Sequence, residues 1–260
     1  MVLPRCWKGE VMIGDMSCPR FPEIWTPEIE AIIKSHAMKV YPEEAVGIIE
    51  NGQYVELDNL SKKPYEDVRL SDEDLIRVAN SQLFFHSHPD GIPCPSEADM
   101  IYQQQLGIPF AIVTLPDYDV FVFGDTLEKQ PLIGRGFRHG VHDCYALMRD
   151  WYQINRGIDV MNKPRGWEWW REEGKSLYLD NLQEAGFRLL PLSEANETGD
   201  VLLFNFHFKI PMHGALVMED KHLILHHACG SKGLDRTRLS RMDLRSRYWR
   251  FATYALRYDK

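Results

Sequence analysis

Residues 86 to 99 carry the kinds of side chain that bind zinc in proteins. His86 and His88 are one residue apart at the end of a predicted buried strand, so both side chains point to the same face. A Pro-rich loop then leads to a predicted helix whose first turn returns Ser96 and Asp99 toward the histidines. Zinc binds imidazole nitrogen and carboxylate oxygen, and a catalytic site keeps one position for water. The segment is therefore a candidate for zinc-dependent hydrolysis.

A zinc-dependent hydrolase also needs a base for its water, and Glu44, near the start of an earlier predicted strand, is the candidate. The order of Glu, His-x-His, seven residues and Ser-x-x-Asp resembles the JAMM (MPN) metallopeptidases, in which the Glu also precedes a glycine by three residues, as Glu44 precedes Gly47. This resemblance implies that His86, His88 and Asp99 bind Zn²⁺. It also implies that Glu44 activates water and that the Ser96 hydroxyl stabilises the oxyanion.

Two nearby residues compete for these roles. Glu43 is an alternative carboxylate, but the alternation of a strand would turn its side chain away from the site. Cys94 lies close enough to be a ligand, but the family uses no cysteine there, and we expect it to serve packing. Taken singly, His-x-His is usually a surface or core feature, and Ser-x-x-Asp is an ordinary helix start.

A second group of residues could perform nucleophilic catalysis. Cys144 follows Asp143 in the first turn of a predicted helix, where the macrodipole and free N–H groups lower the pKa of a thiol. A nucleophilic cysteine needs a histidine base that is held by a third polar group. His213 begins a later predicted strand, and the next strand ends in His226 and His227, either of which could orient it. Alone, a cysteine at a helix start is more often a small buried residue.

The second group resembles the NlpC-type papain-like peptidases over residues 132–260. The matching motifs are Asp143-Cys144, Gly199-Asp200-Val201, His213-Gly214-Ala215-Leu216-Val217 and Leu225-His226-His227. Members of that family mostly cut peptidoglycan stem peptides with a cysteine, a histidine and a third polar residue. The resemblance implies that Cys144 is the nucleophile, His213 the base and His226 the orienting residue, with His227 as the alternative.

One position departs from the pattern of that family. Its members usually carry a tyrosine shortly before the cysteine, whose hydroxyl helps to stabilise the oxyanion, and Phe137 stands at the nearest counterpart. Loss of one such donor costs on the order of a hundredfold in rate. We therefore expect a slow second site unless another group replaces the hydroxyl.

Turn residues and apolar periodicity predict mixed helices and mainly consecutive strands in both halves, so the expected fold class is α+β with two domains. The polar stretch 125–136 is the predicted boundary. We assign the JAMM/MPN-like domain to residues 1–128, with an N-terminal extension over 1–24, and the NlpC-type domain to 132–260. In the first domain, Thr26 should cap a helix and Asn51-Gly52 should form a hairpin turn.

Further elements are predicted in the second domain. A helix should run from Cys144 to about Asn155 and another over 175–185. The predicted strands cover residues 199–206, 213–219, 222–228 and 249–258.

Composition limits the classes of partner. The chain has 260 residues, of which 44% are hydrophobic and 26% charged, as in folded globular proteins. A net charge of −8 without a basic run argues against nucleic acid, and the Arg-rich stretch 236–250, interleaved with Asp235 and Asp243, is typical of a solvated face. No segment has the apolar length of a membrane span, and no signal peptide is recognisable.

The remaining cysteines bear on the compartment in which the chain folds. Because the chain has five cysteines, an odd number, and no leader is recognisable, we expect folding in a reducing cytoplasm. Cys6, Cys18, Cys94 and Cys229 are then expected to be free thiols rather than a disulfide framework.

A JAMM domain followed by an NlpC-type domain in a chain of this length resembles the tail tip assembly proteins of lambda-like phages. The resemblance implies phage tail tip proteins and bacterial peptidoglycan as partners, and a location in the host cytoplasm during assembly or at the virion tail tip. It also implies a role in building the distal tail or in local cell-wall digestion during DNA entry. Two alternatives stay open: a structural tail component that uses both folds as docking modules, and an isopeptidase for ubiquitin-like tags that uses the first domain alone.

Overall fold

The structure is a computed structural model whose described residues form two large β-sheets, which pack against helices, and a small two-stranded sheet. It describes residues 23–227, 229–230, 233–234 and 237–259. The predicted α+β fold class is confirmed. Most of the predicted N-terminal extension, with Cys6 and Cys18, lies outside the described residues, as do Asp235, Arg236 and the side chain of Cys229. No helix in the described part of the chain is long and apolar enough to cross a membrane.

The first sheet has five strands in the order β2-β1-β3-β4-β5. These strands and their helices are α1 (Pro27–Val40), β1 (Val46–Glu50), β2 (Gln53–Leu57), α2 (Asp72–Ala79), β3 (Leu83–Pro89), α3 (Glu97–Leu106), β4 (Phe110–Leu115) and β5 (Asp119–Phe123). Neighbouring strands are antiparallel except β3 and β4, which are parallel because α3 crosses between them. The predicted cap Thr26 and the hairpin turn Asn51-Gly52 are confirmed, and the turn residues have φ of 53° and 72°.

Apolar residues cover both faces of this sheet. Helix α1 packs against one face through Ile29, Ile33 and Ala37, which recur at helical spacing. The opposite face carries a second apolar cluster that includes Phe84 of β3. Alternation along β3 continues that face to His86, whose ring stacks on Phe84 with centroids 5.8 Å apart. The core of the sheet therefore fixes the direction in which the candidate zinc ligands point.

The second sheet has six antiparallel strands in the order β12-β9-β8-β7-β13-β6. The elements of this region are α4 (Cys144–Arg156), α5 (Leu177–Asp180), β6 (Phe187–Leu190), β7 (Val201–Phe204), β8 (His213–Val217), β9 (Leu223–His227), β10 (Cys229–Gly230), β11 (Gly233–Leu234), β12 (Ser240–Leu244), α6 (Arg245–Tyr248) and β13 (Ala252–Tyr258). Helix α4 packs on β8 and β9, so the predicted nucleophile and the predicted base belong to elements in contact.

The predicted helix over residues 175–185 is wrong in its length. Helix α5 covers four residues, after which the side-chain amide of Asn181 donates to the carbonyl of Leu177 at 2.8 Å. Gly186 then has a φ of 84° and turns the chain into β6, an edge strand that the sequence did not predict. The helix therefore ends before residue 185, where the apolar pattern predicted its end. Asn181 competes for backbone groups of the helix, and Gly186 adopts a left-handed conformation.

The interpretation of residues 236–250 as a solvated face is wrong at Asp243. This residue is 9% exposed, and guanidinium nitrogens of Arg241 and Arg247 each lie 3.0 Å from its carboxylate. The reason is that residues 240–244 form β12, which pairs with β9 and places Asp243 opposite the buried Ile224. The predicted strand over 249–258 begins only at residue 252, because α6 and a 3₁₀ turn precede it.

The segment after the predicted boundary contacts the first sheet again. Arg138 donates to the carbonyl of Pro93 and to the carboxylate of Asp119, each at 2.7 Å, and its guanidinium lies 4.3 Å from the ring centre of Phe121. Val141 packs against the apolar cluster on the face of that sheet opposite α1. The chain between the two sheets is therefore held by charge and by packing, and it leads directly to Asp143.

Candidate active sites

The three predicted zinc ligands converge at the end of β3. The Nε2 atoms of His86 and His88 lie 3.1 Å apart, and the carboxylate oxygens of Asp99 lie 3.1 Å from the first and 3.4 Å from the second. One ligand atom of each residue lies within 4.8 Å of the others. Around zinc, with bonds of about 2.0 to 2.1 Å, the corners of a tetrahedron are about 3.4 Å apart. The donor types and their separations therefore fit a zinc ion.

Electrostatics also favour a cation among these three side chains. Burial lowers the pKa of His86, but the carboxylates of Asp99 and Glu44 raise it above its ordinary value overall. Although burial raises the pKa of Asp99, the two imidazoles hold it well below its usual range. Two imidazole nitrogens at 3.1 Å need a proton or a metal ion between them, because their lone pairs would otherwise repel each other.

Helix α3 orients the carboxylate of this group. The hydroxyl of Ser96 accepts a hydrogen bond from the backbone N–H of Asp99 at 3.1 Å, and the Asp99 carboxylate accepts one from the backbone N–H of Ser96 at 2.7 Å. This is a reciprocal capping box, which fixes both residues at the start of the helix. The Ser-x-x-Asp motif therefore begins the helix and also orients the Asp99 carboxylate toward the two histidines.

The structure distinguishes the two candidate carboxylates before β1. Burial raises the pKa of Glu44, and the nearby His86 and His88 offset this only in part. The Asn59 side-chain amide donates to the Glu44 carbonyl at 3.2 Å and holds its backbone. Glu43 is exposed. Glu44 therefore lies in the field of the histidines with a pKa shifted toward that of a general base.

Cys94 is buried and unbridged. Within the described part of the chain, the group of side chains whose ligand atoms converge contains His86, His88 and Asp99 and does not include this cysteine.

The start of α4 is anchored by a buried charged network. The carboxylate of Asp143 caps the helix by accepting from the N–H of Ala146 at 2.9 Å, and it also accepts from the N–H of Gly140 at 2.9 Å. The guanidinium of Arg165 donates to both carboxylate oxygens, at 2.7 and 2.8 Å. Cys144, the first residue of the helix, is therefore held by a cap, an ion pair and the helix itself.

The predicted depression of the Cys144 pKa is wrong. Burial raises the pKa of this thiol to about 11, and the charge of Asp143 raises it further, against hydrogen bonds from Tyr178 and the backbone of Gly214. The side chain is 8% exposed. A helix start contributes at most about 2 kcal/mol toward the thiolate, and desolvation of the charged sulfur exceeds that here.

The histidines beside the cysteine form a chain of contacts. The Nε2 atom of His213 lies 3.1 Å from the Nδ1 atom of His226, and the Nε2 atom of His226 lies 3.8 Å from a carboxylate oxygen of Asp243. The Nδ1 atom of His213 is buried and has no hydrogen-bond partner among the described residues. His227 points to the other face of β9 and stacks edge-on with Phe137. The geometry thus brings His226, rather than His227, to His213.

Burial keeps both of these imidazoles neutral. Desolvation lowers the pKa of His213 well below its ordinary value, and a charge on His226 or His227 would lower it further. Burial lowers the pKa of His226 to about 4, although the Asp243 carboxylate acts in the opposite direction. At neutral pH the resting site therefore contains a thiol and neutral imidazoles.

Sequence reasoning missed three residues of this site, Arg165, Tyr178 and Asp243. The hydroxyl oxygen of Tyr178 lies 3.3 Å from the sulfur of Cys144. The signal for Asp243 was present but misassigned, because an acidic residue among arginines resembles a solvated face until β12 is recognised. Arg165 lies outside any regular element and Tyr178 within the predicted helix over 175–185, and the contacts of both depend on the tertiary fold.

A narrow pocket opens beside Cys144. Phe137, Trp169, Trp170, Tyr178 and Met212 are among the residues that line it. A separate, wider groove also has Trp170 in its wall. The apolar residues Phe208 and Ile210 and the charged residues 171–173 and 209 line the rest of it. An aromatic pocket next to a groove with charges of both signs suits a ligand with apolar and charged groups.

The chain is similar to two curated phage proteins. It is 42% identical over 146 residues to tail tip assembly protein K of Escherichia phage lambda, a match that covers 55% of this chain and 67% of that protein. It is 29% identical over 210 residues to tail tip assembly protein K of Escherichia phage N15, which covers 78% of this chain and 84% of that protein. No protein-family model matches the chain.

Among solved structures, the chain is similar to the NlpC/p60 domain of peptidoglycan hydrolase SagA, with a TM-score of 0.33 and 16% identity. That match covers 48% of this chain and 89% of the solved chain.

Proposed function

This chain belongs to the family of phage tail tip assembly protein K, and we propose that it acts in tail tip assembly and carries two hydrolytic sites. Both relatives are named for tail tip assembly, which supports a role among phage tail tip proteins. The protein would act in the host cytoplasm during assembly or at the virion tail tip. The first site would be a zinc-dependent peptidase, and the second a cysteine endopeptidase that cuts peptidoglycan stem peptides during DNA entry.

One observation carries the second activity: His213 lies at hydrogen-bond distance from His226, and the backbone of the adjacent Gly214 forms a hydrogen bond with the buried Cys144. The Asp243 carboxylate favours the tautomer of His226 that has its proton on Nε2. The Nδ1 atom of His226 then accepts a hydrogen bond from the Nε2–H of His213, which leaves the Nδ1 lone pair of His213 free to act as a base. This is the tautomer that a cysteine peptidase requires.

Proton transfer in this site would accompany attack. Because the Cys144 thiol has a raised pKa and His213 is neutral, the thiol proton moves to His213 Nδ1 as the sulfur bonds to the carbonyl carbon. His213 then returns that proton to the leaving amine when the C–N bond breaks. A water molecule hydrolyses the acyl group and regenerates the thiol.

In the first site, a zinc ion held by His86, His88 and Asp99 would supply Lewis acidity toward water and a substrate carbonyl. Glu44 would take the proton of the water, since burial raises its pKa. The Ser96 hydroxyl accepts from the Asp99 N–H, and its own proton would stabilise the oxyanion. An amide or isopeptide bond is the substrate class that this donor set suits.

Complementation would test both activities in the phage. A phage that carries this gene, with its own copy inactivated, would receive wild type, Cys144→Ala or Asp99→Asn in trans. We expect wild type to restore plaques and each variant to lower the titre at least tenfold. Intact tails would be counted by electron microscopy in the same lysates. Full titre from both variants would contradict the enzymatic proposal.

A second candidate function is that of a docking module without catalysis. The small exposure of Cys144 and its narrow pocket favour this interpretation for the second region. It predicts that both substitutions leave the titre unchanged, while substitution of residues that hold the fold abolishes tail assembly.

A further inference from the structure

We propose that the hydroxyl of Tyr178 is the hydrogen-bond donor that stabilises negative charge in the cysteine site, first on the sulfur of Cys144 and then on the oxygen of the tetrahedral intermediate. The part of this proposal that concerns the intermediate rests on the proposed peptidase function. Tyr178 would thereby supply the hydroxyl that Phe137 lacks.

The geometry brings the phenol to the reacting atom. The hydroxyl oxygen of Tyr178 lies 3.3 Å from the sulfur of Cys144, within the range of a hydrogen bond to sulfur. The side chain is 4% exposed, and the rings of Tyr145 and Trp169 pack against it with centroids 5.8 and 6.0 Å away. The phenol is therefore held in place by packing and is not a mobile surface group.

The backbone of Gly214 makes room for this hydroxyl. A Cβ atom at Gly214 would lie 3.1 Å from the hydroxyl oxygen of Tyr178, closer than most carbon contacts allow. The backbone of Gly214 also forms a hydrogen bond with the Cys144 sulfur. A glycine next to the base His213 thus allows two donors, one from a side chain and one from the backbone, to reach one sulfur.

The phenol can donate throughout the reaction. Burial and the nearby thiol raise the pKa of Tyr178 well above its ordinary value, so it keeps its proton. When the sulfur bonds to the carbonyl carbon, the C=O π electrons move to oxygen, and the hydroxyl hydrogen bond moves from sulfur to that oxygen. Collapse re-forms the C=O bond and expels the amine, which takes its proton from His213. Tyr178 is neither protonated nor deprotonated in this sequence.

Two positions beside Cys144 could hold a tyrosine, 137 and 178, and only position 178 does. Phe137 and Tyr178 line the same pocket beside Cys144. The ring of Phe137 packs edge-on against His227, with centroids 5.6 Å apart, and carries no donor. The predicted slowness of a site without a tyrosine at position 137 is therefore offset by a tyrosine from α5.

The test measures the thiol without any substrate. Tyr178→Phe and the control Tyr152→Phe each remove one buried phenol hydroxyl, but that of Tyr152 donates to the Gly199 carbonyl at 2.8 Å, away from the sulfur. Each folded protein would be treated with iodoacetamide at pH 9, and modification of Cys144 followed by peptide mass spectrometry. At that pH the rate follows the thiolate fraction, since the Cys144 pKa is higher.

We expect Tyr178→Phe to slow the alkylation of Cys144 about tenfold, because one hydrogen bond to a charged group is lost. Tyr152→Phe should stay within about twofold of wild type. Equal rates in wild type and Tyr178→Phe would overturn the proposal even if wild type digests peptidoglycan. If the slowing is seen while wild type digests nothing, the proposed peptidase function fails and the thiolate assignment stands. Thermal melts of both variants identify any loss of fold.

Discussion

The Nε2 atom of His213 lies 3.1 Å from the Nδ1 atom of His226, so two imidazoles share one proton position in the interior of the second sheet. Neither ring is exposed to solvent, and the only charged side chain that approaches His226 at ion-pair distance among the described residues is that of Asp243. The tautomer of the whole chain of contacts is therefore set by one carboxylate on β12.

Asp243 should act as a positioning residue. We expect Asp243→Asn to lower kcat on muropeptides about tenfold with little change in KM, because the neutral amide no longer favours one tautomer of His226. Arg247→Ala is the matched control, since this largely exposed guanidinium binds the other carboxylate oxygen. Equal losses in both variants would show that Asp243 serves stability alone, and the same samples would be compared by thermal melting.

The buried histidines should make the second region sensitive to acid. Burial lowers the pKa of His226 to about 4, whereas an unfolded histidine titrates near 6.5. Between these values the unfolded chain binds more protons than the folded one, so the free energy of unfolding falls as the pH falls. At pH 4 His226 alone should remove about 3 kcal/mol.

Guanidinium unfolding at pH 7 and pH 4, followed by tryptophan fluorescence, measures this effect, since five of the seven tryptophans lie after residue 150. His226→Asn should lose less stability between the two pH values than wild type does. His222→Asn, at an exposed position, should behave as wild type. A pH dependence that is unchanged in His226→Asn would contradict the neutral buried state.

The first site should retain zinc through purification. Elemental analysis should find about one zinc per chain in wild type and Glu44→Gln, and little in His86→Ala or Asp99→Ala, because only the last two remove a ligand.

Controls for the metal measurement come from the same fold. Asp74 occupies in α2 the position that Asp99 occupies in α3, three residues after a serine cap. Asp74→Ala loses the hydrogen bond that this carboxylate accepts from the Ser71 hydroxyl at 2.8 Å, without losing a ligand. His222→Ala removes an exposed histidine. Equal zinc in all variants would contradict the ligand assignment.

Local signals in the sequence predicted part of the molecule. The caps Thr26, Ser96 and Asp143 act within three residues of themselves, so their types and spacing were sufficient. By contrast, the contact between Tyr178 and Cys144 spans 34 residues and depends on how α5 packs. No local pattern encodes such a distance.

The chemistry of Cys144 could not be predicted from its position on the helix. The helix start favours a thiolate, whereas burial opposes it. The balance depends on how deeply the Cys144 side chain is buried, and the apolar periodicity of the sequence does not give that depth. The same holds for Asp243, whose burial follows from the pairing of β12 with β9.

Limited proteolysis should show how the two sheets are joined. Trypsin should cut first after Lys129, in a stretch with exposed residues at 125, 126 and 128. The fragments should then coelute in gel filtration, because contacts such as the Arg149–Asp125 ion pair at 3.2 Å and the Gln104 hydrogen bond to the Asn162 carbonyl at 2.8 Å join them.

Arg138→Ala should weaken this association, since its guanidinium binds residues of the first sheet. Arg171→Ala, at a largely exposed position, is the control. First cleavage inside either sheet would contradict the assignment of residues 1–128 and 132–260 to two folding units.

The most direct measurement of the central claim is the release of soluble stem peptides from purified peptidoglycan. Wild type, Cys144→Ala and His213→Ala would be incubated with the same preparation, and the products separated and identified by mass spectrometry. We predict peptides cleaved at an amide bond of the stem with wild type and at least a hundredfold less with either variant, because each removes a reacting group. Equal release by wild type and Cys144→Ala, or none by wild type on every muropeptide, would contradict the account.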